Sequence, residues 1–92
     1  MPAFARLHLL TDQGMLQERI EIEVGSGLRL DQLMAKLDTR KPVPRGFFRS
    51  VLKGRRAVTL LLNGERLDFE EDRKTPIRDG DELVVLSPFA GG

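Results

Sequence analysis

Apolar and polar residues alternate over residues 3–10, with Ala5, Leu7 and Leu9 on one side and Phe4, Arg6 and His8 on the other. A period of two is that of a strand with one buried face. Thr11-Asp12-Gln13-Gly14 has turn chemistry, and a second alternation over 18–24 sets Ile20, Ile22 and Val24 against Arg19, Glu21 and Glu23. Two such runs so close in sequence predict a hairpin. After Gly25-Ser26-Gly27 the period lengthens, and Leu30, Leu33, Met34 and Leu37 recur at i, i+3, i+4 and i+7. That is the stripe of a helix packed on one side, and a Met and Leu stripe is core material before it is anything else. Asp31 suits the positive end of the helix dipole. Arg29 is a poor capping residue and Ser26 lies too early, so the pattern assigns no N-cap.

Pro42 and Pro44 mark residues 38–45 as a connecting loop rather than a domain linker, because the flanking pieces are too small to fold alone. Phe47, Phe48, Val51 and Leu52 then form two i, i+4 pairs, a short second helix with Gly54 placed at its C′ position. Residues 57–62 are apolar on both faces and read as a third strand. Asn63-Gly64 supplies a type I′ hairpin turn, which needs positive φ at both central residues. Residues 65–69 return as a fourth strand, 70–77 make an acidic excursion, and Asp79-Gly80 turns the chain into a final apolar strand that ends before Pro88. Helix between strand groups gives a two-layer α+β domain in which the crossover allows an early strand to pair in parallel with a late one. The arrangement resembles the β-grasp of ubiquitin-like proteins: a mixed sheet of about five strands packed on one main helix, with a short second helix.

Composition narrows the function more than the fold. Ninety-two residues fit one small domain, and 40% hydrophobic with 32% charged residues is ordinary for a globular chain. The longest apolar runs are too short to span a bilayer, and the N-terminus lacks the basic and apolar regions of a secretory signal, so no membrane contact and a cytoplasmic location are expected. Without cysteine there is no disulfide, thiolate metal site or cysteine nucleophile. The one histidine, His8, sits in a strand pattern with no oriented partner in sequence. Neither a catalytic set nor a metal site stands out, which argues against an autonomous enzyme. The net charge of +1 conceals a split: residues 40–56 hold seven basic residues and no acid, while residues 65–82 hold eight acids against four bases. Each run reads first as a solvated face, and the acidic one could also steer a partner with a basic rim.

Three segments carry a family resemblance: Leu61-Leu62-Asn63-Gly64-Glu65, then Thr75-Pro76-Ile77-Arg78-Asp79-Gly80-Asp81-Glu82-Leu83, then Leu86-Ser87-Pro88-Phe89-Ala90-Gly91-Gly92. Together they resemble the MoaD/ThiS family of ubiquitin-like sulfur carriers, closely over the last third and by element order elsewhere. The resemblance implies that the carboxylate of Gly92 is adenylated by an activating enzyme of the ubiquitin-activating type and then becomes a thiocarboxylate. ATP is consumed by that enzyme, and no cofactor is bound by the carrier itself. It implies a second partner, a sulfur-accepting synthase subunit such as the large subunit of molybdopterin synthase, of which the chain would be the small subunit. The second helix and the chain length favour the molybdopterin branch over thiamine-thiazole or other sulfur carriers.

The expected domain is residues 1–92 with a flexible tail over 88–92, in which Ala90, Gly91 and Gly92 thread a narrow site because they carry almost no side chain. Leu61, Val84 and Leu86 fall on the outer faces of neighbouring strands, opposite Leu60, Leu62, Leu83 and Val85, and Phe4 can join them. They form either a covered sheet face or an exposed apolar patch that docks partners, with Phe89 and Pro88 as anchors next to the tail. Two other classes remain: a ubiquitin-like modifier that joins Gly92 to lysines, and a nucleic-acid-binding β-grasp module using residues 40–56. Nucleic acid is not the expected partner, because Phe47 and Phe48 point inward and leave no stacking platform.

Overall fold

The computed structural model describes residues 2–11, 14–41 and 43–87. The hairpin expected at the start is present, as β1 (Ala3–Thr11) and β2 (Gly14–Ile22) in antiparallel register from Ala3↔Ile22 to Thr11↔Gly14. β2 starts four residues earlier than its alternation suggested, because the pairing runs through to the turn. A two-residue strand β3 (Leu28–Arg29) leads into α1 (Leu30–Leu37), whose Leu30, Leu33, Met34 and Leu37 are all buried. After a loop comes α2 (Phe47–Leu52), then β4 (Thr59–Leu62), β5 (Glu65–Leu67), α3 (Phe69–Asp72), β6 (Pro76–Ile77) and β7 (Glu82–Leu86).

Five strands form one mixed sheet in the order β2-β1-β7-β4-β5, and β3 pairs with β6 in a separate two-stranded sheet. β7 lies at the centre, parallel to β1 and antiparallel to β4. With α1 and α2 packed on one face, this is the β-grasp fold. Alternate side chains settle the layers: Ala3, Ala5, Leu7 and Leu9 of β1 and Leu83 and Val85 of β7 are at most 1% exposed. They meet the α1 stripe and Phe47, Phe48 and Val51 of α2 in the hydrophobic core. Burial of a large apolar side chain stabilises by roughly 1.5–3 kcal/mol, so this shared face holds the two layers together. Leu62, expected in the core, is only half-buried near the hairpin turn.

The sequence differs from the structure where caps come from a distance. The first amides of α1 donate to backbone carbonyls of the acidic excursion, Leu30 N to Thr75 O and Asp31 N to Arg73 O, both at 2.9 Å. Gln32 N reaches Asp31 Oδ1 at 2.8 Å, and Gln32 Oε1 accepts from Arg29 N at 3.0 Å. No residue before the helix needed to be a good cap. Desolvation would raise the pKa of Asp31, but the hydrogen bond and charge of Arg29 outweigh it and hold the carboxyl below its usual range. Residues 70–77 are therefore no plain loop; they supply a helical turn, a strand and two capping carbonyls. Phe69, read as strand, opens α3 and packs against the core from there. Asp68 caps it, accepting from Glu70 N at 2.9 Å and Glu71 N at 3.3 Å.

The start of α2 is held the same way. Asp38, just beyond α1, accepts from Phe48 N at 2.8 Å through Oδ1 and from Arg49 N at 3.0 Å through Oδ2. One carboxylate thus ties the end of one helix to the start of the next. Gly54, with φ of 74°, ends α2 in the left-handed region, as its position foretold. Replacing Asp38 with Ala should cost about 1–2 kcal/mol by the usual worth of a helix cap, read as a lower urea midpoint with an unchanged slope. An unshifted midpoint would show that water replaces the cap without loss.

Candidate functional site

Strand register fixes what the far face of the sheet displays. One cross-strand row reads Arg19, Arg6, Val84, Leu61 and Arg66 across β2, β1, β7, β4 and β5. The next reads Gln17, His8, Leu86 and Thr59. Val84, Leu61 and Leu86 therefore form an apolar centre, each half-buried, between flanking basic and polar side chains. Among the described residues no helix packs on this side, since the buried residues of α1 and α2 belong to the core on the opposite face. No described element packs over these three half-buried residues.

Phe4 lies on the same face in the row of Glu21 and Glu82, half-buried. The Arg19 guanidinium sits 4.1 Å from its ring centroid, and Arg6 reaches Glu82 at 3.8 Å. The arginine covers the phenylalanine, so Phe4 extends the apolar centre beneath a cationic lid. That ion pair is half-exposed and worth little to stability; it sets the local pattern of charge. His8 is half-buried beside Leu86, and Arg6, His8, Gln17, Arg19 and Glu82 line a shallow hollow.

Both ends of β7 are fastened by side chains. At its start Asn63 Nδ2 donates to Asp81 Oδ1 at 2.9 Å, and Glu82 N donates to Asn63 Oδ1 at 3.0 Å. Asp81 Oδ2 also accepts from Arg78 N at 2.8 Å. Asn63 and Gly64 have φ of 51° and 87°, so the I′ turn forms as its sequence requires, and its first residue also clamps the neighbouring strand. At the other end Ser87 N donates to His8 O at 2.9 Å, while Ser87 Oγ accepts from Leu10 N at 3.0 Å. In a regular parallel ladder the Ser87 carbonyl would take that second bond. Here the hydroxyl stands in for it, so the rung is completed at the residue where the chain leaves the sheet.

Ser87 carries no mark in an alternation pattern, being one polar residue between an apolar run and a proline. The assigned tail residues Pro88, Phe89, Ala90, Gly91 and Gly92 lie outside the described residues. The structure brings Leu61, Val84, Leu86 and Phe4 onto one face and places its last described residue at the end of the same central strand. The seven basic residues of 40–56 are all exposed on the helical side. Arg40 donates to Glu21 O at 3.1 Å and Arg56 lies 4.6 Å from the Phe47 ring centroid; Phe47 and Phe48 are buried, as their spacing indicated. Among the described residues no cluster of three or more His, Asp or Glu could hold a metal ion, and no helix is long and apolar enough to cross a membrane.

Comparison with protein families gives a match to the ThiS family over residues 4–92. No curated protein matches the chain, and no solved structure does.

Ser87→Ala removes the side-chain acceptor of Leu10 N–H and should speed its amide exchange about tenfold, in line with a hydrogen bond worth roughly 0.5–1.5 kcal/mol. Ser87→Thr should preserve the protection. Exchange at Leu10 that does not respond to either change would show that the hydroxyl is not what ends the ladder.

Proposed function

The chain belongs to the ThiS family of small sulfur carriers, and on that premise we propose that it carries sulfur as a thiocarboxylate on Gly92. The carrying observation is the reach of the family match, which runs to residue 92 and so includes Pro88-Phe89-Ala90-Gly91-Gly92. Members of this family work with an adenylating enzyme and a sulfur-accepting synthase. The chain is therefore a co-substrate, and its chemistry is that of one carboxyl group.

A carboxylate is a poor acyl donor because its leaving group would be oxide. Activation proceeds when a Gly92 carboxylate oxygen attacks the α-phosphorus of ATP held by the adenylating enzyme, and pyrophosphate departs. Hydrosulfide supplied by the partner system then attacks the acyl carbon, and AMP leaves with the oxygen that had joined carbon to phosphorus. The product is a thiocarboxylate, the covalent form in which the carrier holds sulfur. None of these steps calls on a titrating side chain of the carrier. What the carrier contributes is a thin terminus, with Ala90, Gly91 and Gly92 fitting a channel that larger side chains would block.

Docking falls to the open sheet face. Val84, Leu61 and Leu86 supply apolar contact, with Phe4 beside them and Phe89 and Pro88 next to the tail as anchors. Arg6, Arg19 and Arg66 border that centre with positive charge, offset in part by Glu82 and Glu21 in the row of Phe4. Residues 1–92 act as one carrier domain with residues 88–92 as its tail, in the cytoplasm, where activating and accepting enzymes compete for the same end. The acceptor is the large subunit of a molybdopterin synthase; the presence of α2 supports that branch over the thiazole carriers.

Deletion of Gly92 should abolish ATP-pyrophosphate exchange by the adenylating enzyme of the same organism while leaving thermal unfolding unchanged. Retained exchange by the truncated chain would refute the assignment. Val84→Asp should raise the KM of that exchange about tenfold or more, since a buried apolar contact is replaced by an unpaired charge. An unaltered KM would place the docking surface elsewhere.

A further inference from the structure

Two large apolar side chains remain exposed among the described residues, Leu10 at 42% and Met15 at 47%. They are direct cross-strand partners at the end of the β1–β2 hairpin. Register puts them on the outer face, one row beyond His8 and Gln17, beside the end of β7. Leu10 is also the residue whose amide holds the Ser87 hydroxyl at 3.0 Å. An isolated exposed leucine means nothing on its own. An adjoining pair, on the face of Leu86 and tied to Ser87, the last described residue, is a different observation.

We infer that Leu10 and Met15 form an apolar lip that seats against the mouth of the channel through which the adenylating enzyme receives the tail. The inference rests on the sulfur-carrier reading above and adds a contact surface to it. Its warrant is chain length. From Ser87 to Gly92 there are five residues, which span at most about 17 Å when fully extended. Neighbouring strands lie about 4.8 Å apart, so Leu10 is one strand spacing from β7 and Met15 about two. Any enzyme whose active site reaches Gly92 must bring its surface within that radius of Ser87, and the hairpin end lies well inside it. Polar side chains at these positions would have to be desolvated by such an approach, whereas Leu10 and Met15 gain from it. The occupant is therefore a protein with apolar side chains at its channel mouth.

The test is steady-state adenylation with the adenylating enzyme of the same organism, using wild-type chain, Leu10→Ser with Met15→Ser, and the conservative exchange Leu10→Met with Met15→Leu. Loss of the apolar contact should raise KM about tenfold with kcat and the thermal midpoint unchanged, from the ~25 cal/mol per Å2 scale of apolar burial over the two side chains. The conservative exchange should retain the wild-type KM. A KM that does not change in the serine variant, or a fall in kcat alone, overturns the inference. So does a concentration-dependent dimer in sedimentation that the serine variant abolishes, since the pair would then serve a second copy of the chain. Truncation of Gly92 in the same assay separates the two levels of failure. If the truncated chain is silent while the serine variant equals wild type, the lip alone is refuted; if the truncated chain is still adenylated, the carrier reading falls with it.

Discussion

Everything in this molecule depends on how β7 is held in the middle of the sheet. It pairs in parallel with β1 and antiparallel with β4, so both of its ladders are satisfied and its alternate residues are forced to opposite faces. Leu83 and Val85 go to the core. Val84 and Leu86 go to the open side. A one-residue slip would exchange these sets, and the Asn63–Asp81 network at one end and Ser87 at the other oppose it. The same pairing determines where residue 87 stands at the end of the sheet.

This division suits the carrier role of the ThiS family. The core face is closed by α1 and α2, whose caps are borrowed: Asp38 for α2, and the carbonyls of Arg73 and Thr75 for α1. Those long-range caps join the acidic excursion and the interhelix loop to the helical layer. Among the described residues the outer face carries no second layer. Its apolar centre, its arginine border and the hairpin end with Leu10 and Met15 lie on the face that includes Leu86, next to Ser87. The basic run of 40–56 is on the opposite, helical layer, apart from this face.

The sequence revealed the elements with long, regular periods. The Leu30, Leu33, Met34, Leu37 stripe, the alternation in β1, the Asn63-Gly64 turn and the Gly54 stop each depend on local geometry, and each is found as expected. What escaped depends on residues far apart in the chain or on elements too short to have a period. β3 and β6 have two residues each, and nothing in two residues distinguishes a strand from a loop. Phe69 was assigned to the wrong element although a local cue existed: Asp68 followed by Glu71 has the spacing of a helix start. Asp38 caps an amide ten residues away, beyond the range of any capping pattern. On the site, Leu61, Val84 and Leu86 were legible because alternation sets their face. The hydroxyl of Ser87 and the Leu10–Met15 pair were not, because their meaning comes from the β1–β7 register.

On the proposed reading, this fold presents Gly92 for loading with sulfur. Intact-mass measurement of the protein isolated from its own cells tests it most directly. A fraction is expected in which one terminal oxygen is replaced by sulfur, localised by fragmentation to Gly92, and absent when the adenylating enzyme is deleted. A protein found only with an ordinary carboxylate, or with Gly92 joined to lysines of other proteins and no sulfur-bearing form, would contradict it.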